Sequence, residues 1–310
     1  MKLTRREMIK LGAGAGAYFA ISPRSANAWT ARLSDELVTK PIPSSGERIP
    51  VIGIGTRSYR TGVSPEVMGQ FRATLAAFVE AGGTVIDTST NYGRGTSETV
   101  LGDLLAALGA TDDVFWATKV DREDREEGIA RMENSFEQLR TDVIDLMQVH
   151  NLRGTAVELA TMREWREGGR IRYIGVTASS ARAFDRMIQT IESEELDFVQ
   201  INYSIADRGS ADRILPMCRD RGIATLINLP FGRGRTFEAV GDRPLPDWAT
   251  EWCASWGQFF LKYIVSHPAV TAAIPGTTKP HHAVDNMGAC RGWMPDAATR
   301  RRMEAFFDAS

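Results

Sequence analysis

Thr84-Val85-Ile86-Asp87-Thr88-Ser89-Thr90-Asn91-Tyr92-Gly93 decides the reading of this chain. A short apolar run closes on a carboxylate, and a tyrosine follows five residues later. The apolar pair reads as the end of a buried strand, and residues 88–93 as the loop leaving it. A carboxylate at a buried strand end is costly unless it is paired. A cation stands at the end of the next buried run, Val114-Phe115-Trp116-Ala117-Thr118-Lys119. The run after that, Asp145-Leu146-Met147-Gln148-Val149-His150, ends in a histidine.

In a barrel of parallel strands the C-terminal strand ends meet at one face, where active sites are built. Asp87, Tyr92, Lys119 and His150 then converge from separate parts of the chain. Their chemistry is coherent. A phenol is a poor acid near neutrality, and a buried ammonium beside it favours its ionised form. Asp87 holds Lys119 in place and charged, while His150 reaches the substrate oxygen or the phenol. The set makes a general acid able to protonate an oxyanion as it forms. Any one of these residues alone is ordinarily structural; their joint placement on successive strand ends points to catalysis.

At these residues the chain resembles the aldo-keto reductase family. The matching pieces, in order, are Asp87-Thr88-Ser89-x-x-Tyr92-Gly93 with Ser97-Glu98, Thr118-Lys119, Gln148-Val149-His150, Arg170-Ile171-Arg172-Tyr173-Ile174-Gly175-Val176, Gln200-Ile201-Asn202-Tyr203-Ser204 and Ile274-Pro275-Gly276. They cover roughly residues 45 to 290. Each is weak alone; the ordered set is specific. The resemblance implies a (β/α)8 TIM barrel that reduces aldehydes and ketones with NADPH, with Asp87, Tyr92, Lys119 and His150 as catalytic tetrad. It also implies a hairpin over the barrel floor near Glu47–Thr56.

Along the chain, strand-like runs alternate with helical periodicity about eight times, the number a closed α/β barrel needs. Ser64-Pro65-Glu66 supplies an N-cap, a proline at N1 and an acid in the first turn. Helices are expected over 97–108, around Ile129–Leu139, then over 157–167, 181–192, 211–221 and 252–266, with a last one over 295–307 outside the barrel. An open doubly wound sheet calls for Gly-x-Gly-x-x-Gly after its first strand. Gly53-x-Gly55 lacks the third glycine.

The segment from Ile274 to Asn286 ends a strand and opens a helix at Pro280, a recurring phosphate grip in such barrels. By resemblance, Thr277, Lys279 and His282 meet the 2′-phosphate of NADP, Asp285 and Asn286 the adenine, and Gln200 the nicotinamide amide. The same resemblance puts Thr56, Asp87, Thr177, Asn228, Phe231, Arg233 and Gly276 along the cofactor. Two departures stand out. Thr177-Ala178 replaces the family's Ser-Asn, removing a carboxamide ligand, and Asn228 stands where a tyrosine stacks on nicotinamide. The loop after Tyr92 and segments near Trp116, Asn151-Leu152 and Phe231 are expected to line the substrate pocket, with Trp116 equally readable as core.

Residues 1–28 do not read as fold. Thr4-Arg5-Arg6-Glu7-Met8-Ile9-Lys10 is a twin-arginine pattern, followed by a short Gly/Ala-rich apolar run and Ala26-Asn27-Ala28, a small-x-small cleavage form. The pattern resembles a Tat signal. It implies export of a folded protein to the periplasm and a single barrel domain over 29–310. The 310 residues are 43% hydrophobic and 25% charged, with a net charge of −2. That balance gives no basic excess for nucleic acid and no membrane span in the mature chain. Cys218, Cys253 and Cys290 lack metal-ligand spacing and read as plain thiols. A metal-dependent hydrolase has no support in the placement of the four histidines. The reading is an exported NADP(H)-dependent reductase acting on a small carbonyl substrate. The alternative is an NADP(H)-binding sensor or partner subunit with little turnover.

Overall fold

The computed structural model describes residues 36–309, so the signal sequence expected over 1–28 and the boundary after it lie outside the described residues. Thr39–Pro41 (β1) and Arg48–Pro50 (β2) form an antiparallel hairpin with Lys40 opposite Ile49. Eight parallel strands follow: Ile54–Gly55 (β3), Val85–Asp87 (β4), Phe115–Val120 (β5), Ile144–Val149 (β6), Ile171–Thr177 (β7), Phe198–Asn202 (β8), Ala224–Asn228 (β9) and Ala272–Ala273 (β10). They hydrogen-bond in chain order from β3 to β10. Parallel bridges Ile52–Ala273 and Gly55–Gly276 join the last strand to the first. The chain thus forms the (β/α)8 barrel, with its N-terminal hairpin.

The helices ring this sheet. They are α1 (Pro65–Glu80), α2 (Ser97–Leu108), α3 (Arg125–Leu139), α4 (Thr155–Glu167), α5 (Phe184–Ser193), α6 (Ile214–Asp220), α7 (Arg235–Val240), α8 (Trp256–Val265), α9 (Pro280–Gly288) and α10 (Ala297–Asp308). Side chains fix their starts. Ser64 accepts from the Val67 amide at α1, and Asp124 accepts from Glu127 at α3. Ser255 accepts from Gln258 N at 3.0 Å, so α8 begins at Trp256 and not at the expected Trp252. A 3₁₀ turn over Ala181–Ala183 takes the place of the expected first turn of α5. The short α7 has no counterpart in the sequence reading, because Gly232, Gly234 and Gly241 crowd its ends and hide its periodicity. Helix α10 lies outside the sheet, with Met303 buried and Glu304 accepting from Tyr263 Oη on α8 at 2.6 Å.

Strand pleating sorts the barrel interior into layers, since alternate residues face inward. Val85, Phe115, Leu146, Tyr173, Phe198 and Leu226 form the lower, apolar layer, and Ile42 and Ile49 of the hairpin close it from below. Glu47 in the hairpin turn accepts from Arg172 and from Tyr173 Oη, which ties the floor to β7. Two residues on, the same inward faces carry Asp87, Gln148, Gln200 and Asn228; on β5, where Ala117 also faces in, the next inward residue is Lys119. The apolar floor therefore supports a polar upper layer at the strand C-termini.

Trp116 falls on the opposite parity. It is 1% exposed in the outer core and donates to the Thr111 carbonyl, so it does not line the cleft described below. Leu152, equally buried, does not line the cleft either. Burial pushes the thiols of Cys218, Cys253 and Cys290 up to about 12, which leaves them unreactive.

If the hairpin residues are core and not decoration, Ile42→Ala costs about 2–5 kcal/mol, the range for a fully buried aliphatic truncation. Urea unfolding checks this. A loss below about 0.5 kcal/mol, the scale of a surface change, would show that the floor does not depend on the hairpin.

Candidate active site and its relatives

The polar layer is built around Asp87, which is 2% exposed. Lys119 Nζ donates to Asp87 Oδ1 at 2.5 Å and to the Thr88 carbonyl at 2.6 Å. Burial acts to lower the Lys119 ammonium, and Asp87 and Tyr92 act to raise it; the net direction is up, so Lys119 stays charged. The Lys119 ammonium lies 4.8 Å from the centre of the Tyr92 ring. The His150 ring meets Tyr92 edge-on with centres 5.9 Å apart. All four residues expected to be catalytic are thus brought together at the strand ends.

Tyr92 is held there by its neighbour. Gly93 has φ +59, and a Cβ on it would sit 1.9 Å from the Tyr59 carbonyl oxygen. Only glycine fits that approach. Behind the site, Glu98 accepts from Thr118 Oγ1 at 2.5 Å and from Ser135 at 3.2 Å. Burial pushes Glu98 up to about 6 against these hydrogen bonds.

His150 Nδ1 lies 3.2 Å from Ser89 Oγ. Burial first, then the Lys119 charge, pushes the imidazole down to about 4, so it is neutral at physiological pH.

The second oxygen of Asp87 organises a row of amides. Gln200 Nε2 donates to Asp87 Oδ2 at 2.7 Å, and Gln148 Nε2 lies 3.4 Å from the same oxygen. An ionised carboxylate only accepts, so both amides must turn their nitrogens toward it. Gln200 then presents its oxygen outward, where Asn228 Nδ2 lies 3.4 Å away. Asn228 Nδ2 also donates to the Ala178 carbonyl at 3.0 Å. One carboxylate thereby sets the direction of the row. Asn228 Oδ1 is left as a buried acceptor without a partner among the described residues. Gln200, expected to meet the nicotinamide amide, has both ends of its own amide engaged inside the protein.

A cleft of about 730 Å³ runs from Tyr92 and His150 to the N-terminus of α9. Thr56, Asp87, Thr177, Gln200, Asn228, Phe231, Arg233, Gly276, Thr277, Lys279, His282, Asp285 and Asn286 all line it. Lys119 lies beneath it, wholly buried. At the far end, burial, then His281 and Lys279, hold His282 below its ordinary value. Lys279 stands beside it at the N-cap of α9. Asp285 accepts from Ser255 Oγ at 2.6 Å and Gln258 Nε2 at 2.9 Å, which pins α9 to α8. Thr177 Oγ1 accepts from the Asn151 amide.

Sequence reasoning missed Arg57, Ser58 and Trp256 in this lining. Arg57 carried a usable signal, since it stands two residues past the end of β3, at the strand ends where such barrels build their sites. Trp256 carried none, because its helix was assigned an earlier start.

Aldo-keto reductase yakc [NADP(+)] of Schizosaccharomyces pombe is 24% identical over 302 residues, 84% of this chain and 89% of its own length. Aldo-keto reductase YhdN of Bacillus subtilis is 32% identical over 174 residues, 52% of each. Among solved structures, an aldo-keto reductase from Klebsiella pneumoniae in complex with NADPH superposes with a TM-score of 0.73 at 25% identity, covering 88% of this chain and 95% of that one. The model of the aldo/keto reductase family matches residues 51–299. With tetrad, barrel and cleft in place, the chain belongs to the aldo/keto reductase family of oxidoreductases.

Proposed function

We propose that this protein reduces an aldehyde or ketone with NADPH, using Tyr92 as the general acid. The observation that carries the reading is the position of the Tyr92 ring between the Lys119 ammonium and the His150 imidazole, at the reactive end of the cleft. The residues fit the cofactor. The cleft is long, Lys279 stands at a helix N-terminus suited to phosphate, and Asn228 Oδ1, without a partner among the described residues, is an acceptor for a group bearing N–H donors. Thr277 and Lys279 would hold the 2′-phosphate, and Asn228 would take over the carboxamide contact that Ala178 cannot make. NADP-named relatives support the same choice.

When bound, NADPH supplies a hydride to the carbonyl carbon. The protein does the rest. Tyr92 gives its proton to the carbonyl oxygen, and the Lys119 charge stabilises the phenolate left behind. Asp87 keeps Lys119 fixed and charged. His150, neutral and bonded to Ser89 through Nδ1, offers Nε2 to the substrate oxygen and orients it. The twin-arginine pattern at Arg5-Arg6 and the Ala26-Asn27-Ala28 form support export to the periplasm.

NADPH oxidation by the full-length chain over a panel of aldehydes and ketones tests the reading, beside Tyr92→Phe. The variant should lose at least about 10²-fold in kcat, as expected for a removed general acid, while NADPH affinity is kept. NADPH binding with no turnover on any carbonyl would instead favour a sensor.

The folded His150 titrates near 4, below the ordinary 6.5 of the unfolded chain. The unfolded state therefore takes up that proton first, and stability falls as pH drops through this window. Melting temperatures from pH 6.5 down to 4 should fall less steeply in His150→Gln. An unchanged slope would mean His150 is not held neutral.

A further inference from the structure

The mouth of the cleft carries a charge that the tetrad does not use. Arg57 lines the cavity at the end that holds Tyr92 and His150, together with Ser58 and Asn151. Its backbone is fixed on both sides of the reacting group. Thr56, just before it, donates through N and Oγ1 to the Asp87 carbonyl at 3.1 and 2.9 Å. The Arg57 carbonyl itself accepts from the Gly93 amide at 3.1 Å, one residue past Tyr92. The guanidinium is exposed, and among the described residues no carboxylate pairs with it and no side-chain hydrogen bond engages it. Its charge reaches His150, where it adds to burial and Lys119 in disfavouring the imidazolium.

Two other charges nearby are already engaged. Lys119 is neutralised by Asp87. Asp121 is held by Arg122 at 2.6 Å and by Asn91 at 2.7 Å. Of the cations that line the cleft, Arg57, Arg233 and Lys279, Arg57 is the one whose charge reaches His150, and its own guanidinium is unpaired among the described residues; Arg60 and Arg94 nearby do not line the cleft. An arginine there presents a planar fork of donors that matches a carboxylate in bidentate fashion.

Resting on the reductase reading above, we propose that the substrate is an oxo acid, whose carboxylate is taken by Arg57 while its carbonyl lies against Tyr92 and His150. One unpaired cation matches one carboxylate; a phosphate monoester, with nearly two charges at neutral pH, calls for more. The reaction leaves the carboxylate unchanged. Hydride from NADPH adds to the carbonyl carbon, the proton of Tyr92 goes to the oxygen and is replaced from water, and NADP⁺ and a hydroxy acid leave.

The test compares a series of ω-oxo acids of two to five carbons with their methyl esters, in the full-length wild type, Arg57→Gln and Arg57→Lys. The best acid should exceed its ester in kcat/KM by about tenfold to a hundredfold, the span of one charge-assisted hydrogen bond, with the difference mainly in KM. Arg57→Gln should lower kcat/KM for the acid at least tenfold more than for the ester, and Arg57→Lys should restore part of the preference. A second readout needs no turnover. 4-Hydroxybutanoate, the product of the four-carbon acid, should raise the melting temperature of the NADP⁺-loaded wild type and not that of Arg57→Gln. Turnover of acids and esters with equal kcat/KM would overturn the oxo-acid proposal and leave the reductase reading standing. So would an acid preference that survives in Arg57→Gln. Stabilisation by the hydroxy acid that depends on Arg57, without turnover of any oxo acid, would uphold the anion site and count against the reductase reading.

Discussion

The buried pair of Asp87 and Lys119 is the interaction on which the site depends. Two charges removed from water cost several kcal/mol each, and their attraction offsets this only when the remaining polar atoms are satisfied. Here they are. Lys119 also donates to the Thr88 carbonyl, and Asp87 also accepts from Gln200. Because the carboxylate cannot donate, it dictates the orientation of Gln148, Gln200 and Asn228 in turn. A single ionised group thus fixes the ammonium beside the Tyr92 ring and the amide acceptor in the cleft wall.

The barrel makes this arrangement possible through pleating alone. Alternate residues on each strand face inward, so an apolar residue low on a strand is followed by a polar one at its C-terminal end. Val85 and Asp87, Leu146 and Gln148, and Leu226 and Asn228 follow this rule. The hairpin seals the apolar end with Ile42 and Ile49, leaving the polar end to face the cleft. The apolar floor lies below the charged pair and the cleft above it.

Much of this was legible in the sequence because it is periodic. Strand runs that end in Asp87, Lys119 and His150 can be read from hydrophobicity and one polar residue each. The same parity that points Lys119 inward sends Trp116 outward, which decides between the two readings of that residue in favour of the core. The amide row was not legible. It joins β4, β6, β8 and β9 across the barrel, and nothing local in the chain says which way a buried amide turns. Asn228 read as the loss of a stacking tyrosine and as a replacement for the amide lost at position 178; its contact with the Ala178 carbonyl needs the fold to bring two strand ends together. The start of α8 was misread because Trp252 and Trp256 have similar helical spacing, and only the Ser255 cap decides between them.

Replacing the charge of Asp87 while keeping its shape tests the account most directly. In Asp87→Asn the pairing with Lys119 and the fixed direction of the amide row are both lost. Steady-state kcat for NADPH-dependent reduction of the best carbonyl substrate should fall at least about 10²-fold, as for a disabled general acid, in a protein that still melts cooperatively. A kcat within about twofold of wild type, less than 0.5 kcal/mol on the barrier, would contradict the claim that this carboxylate organises the site.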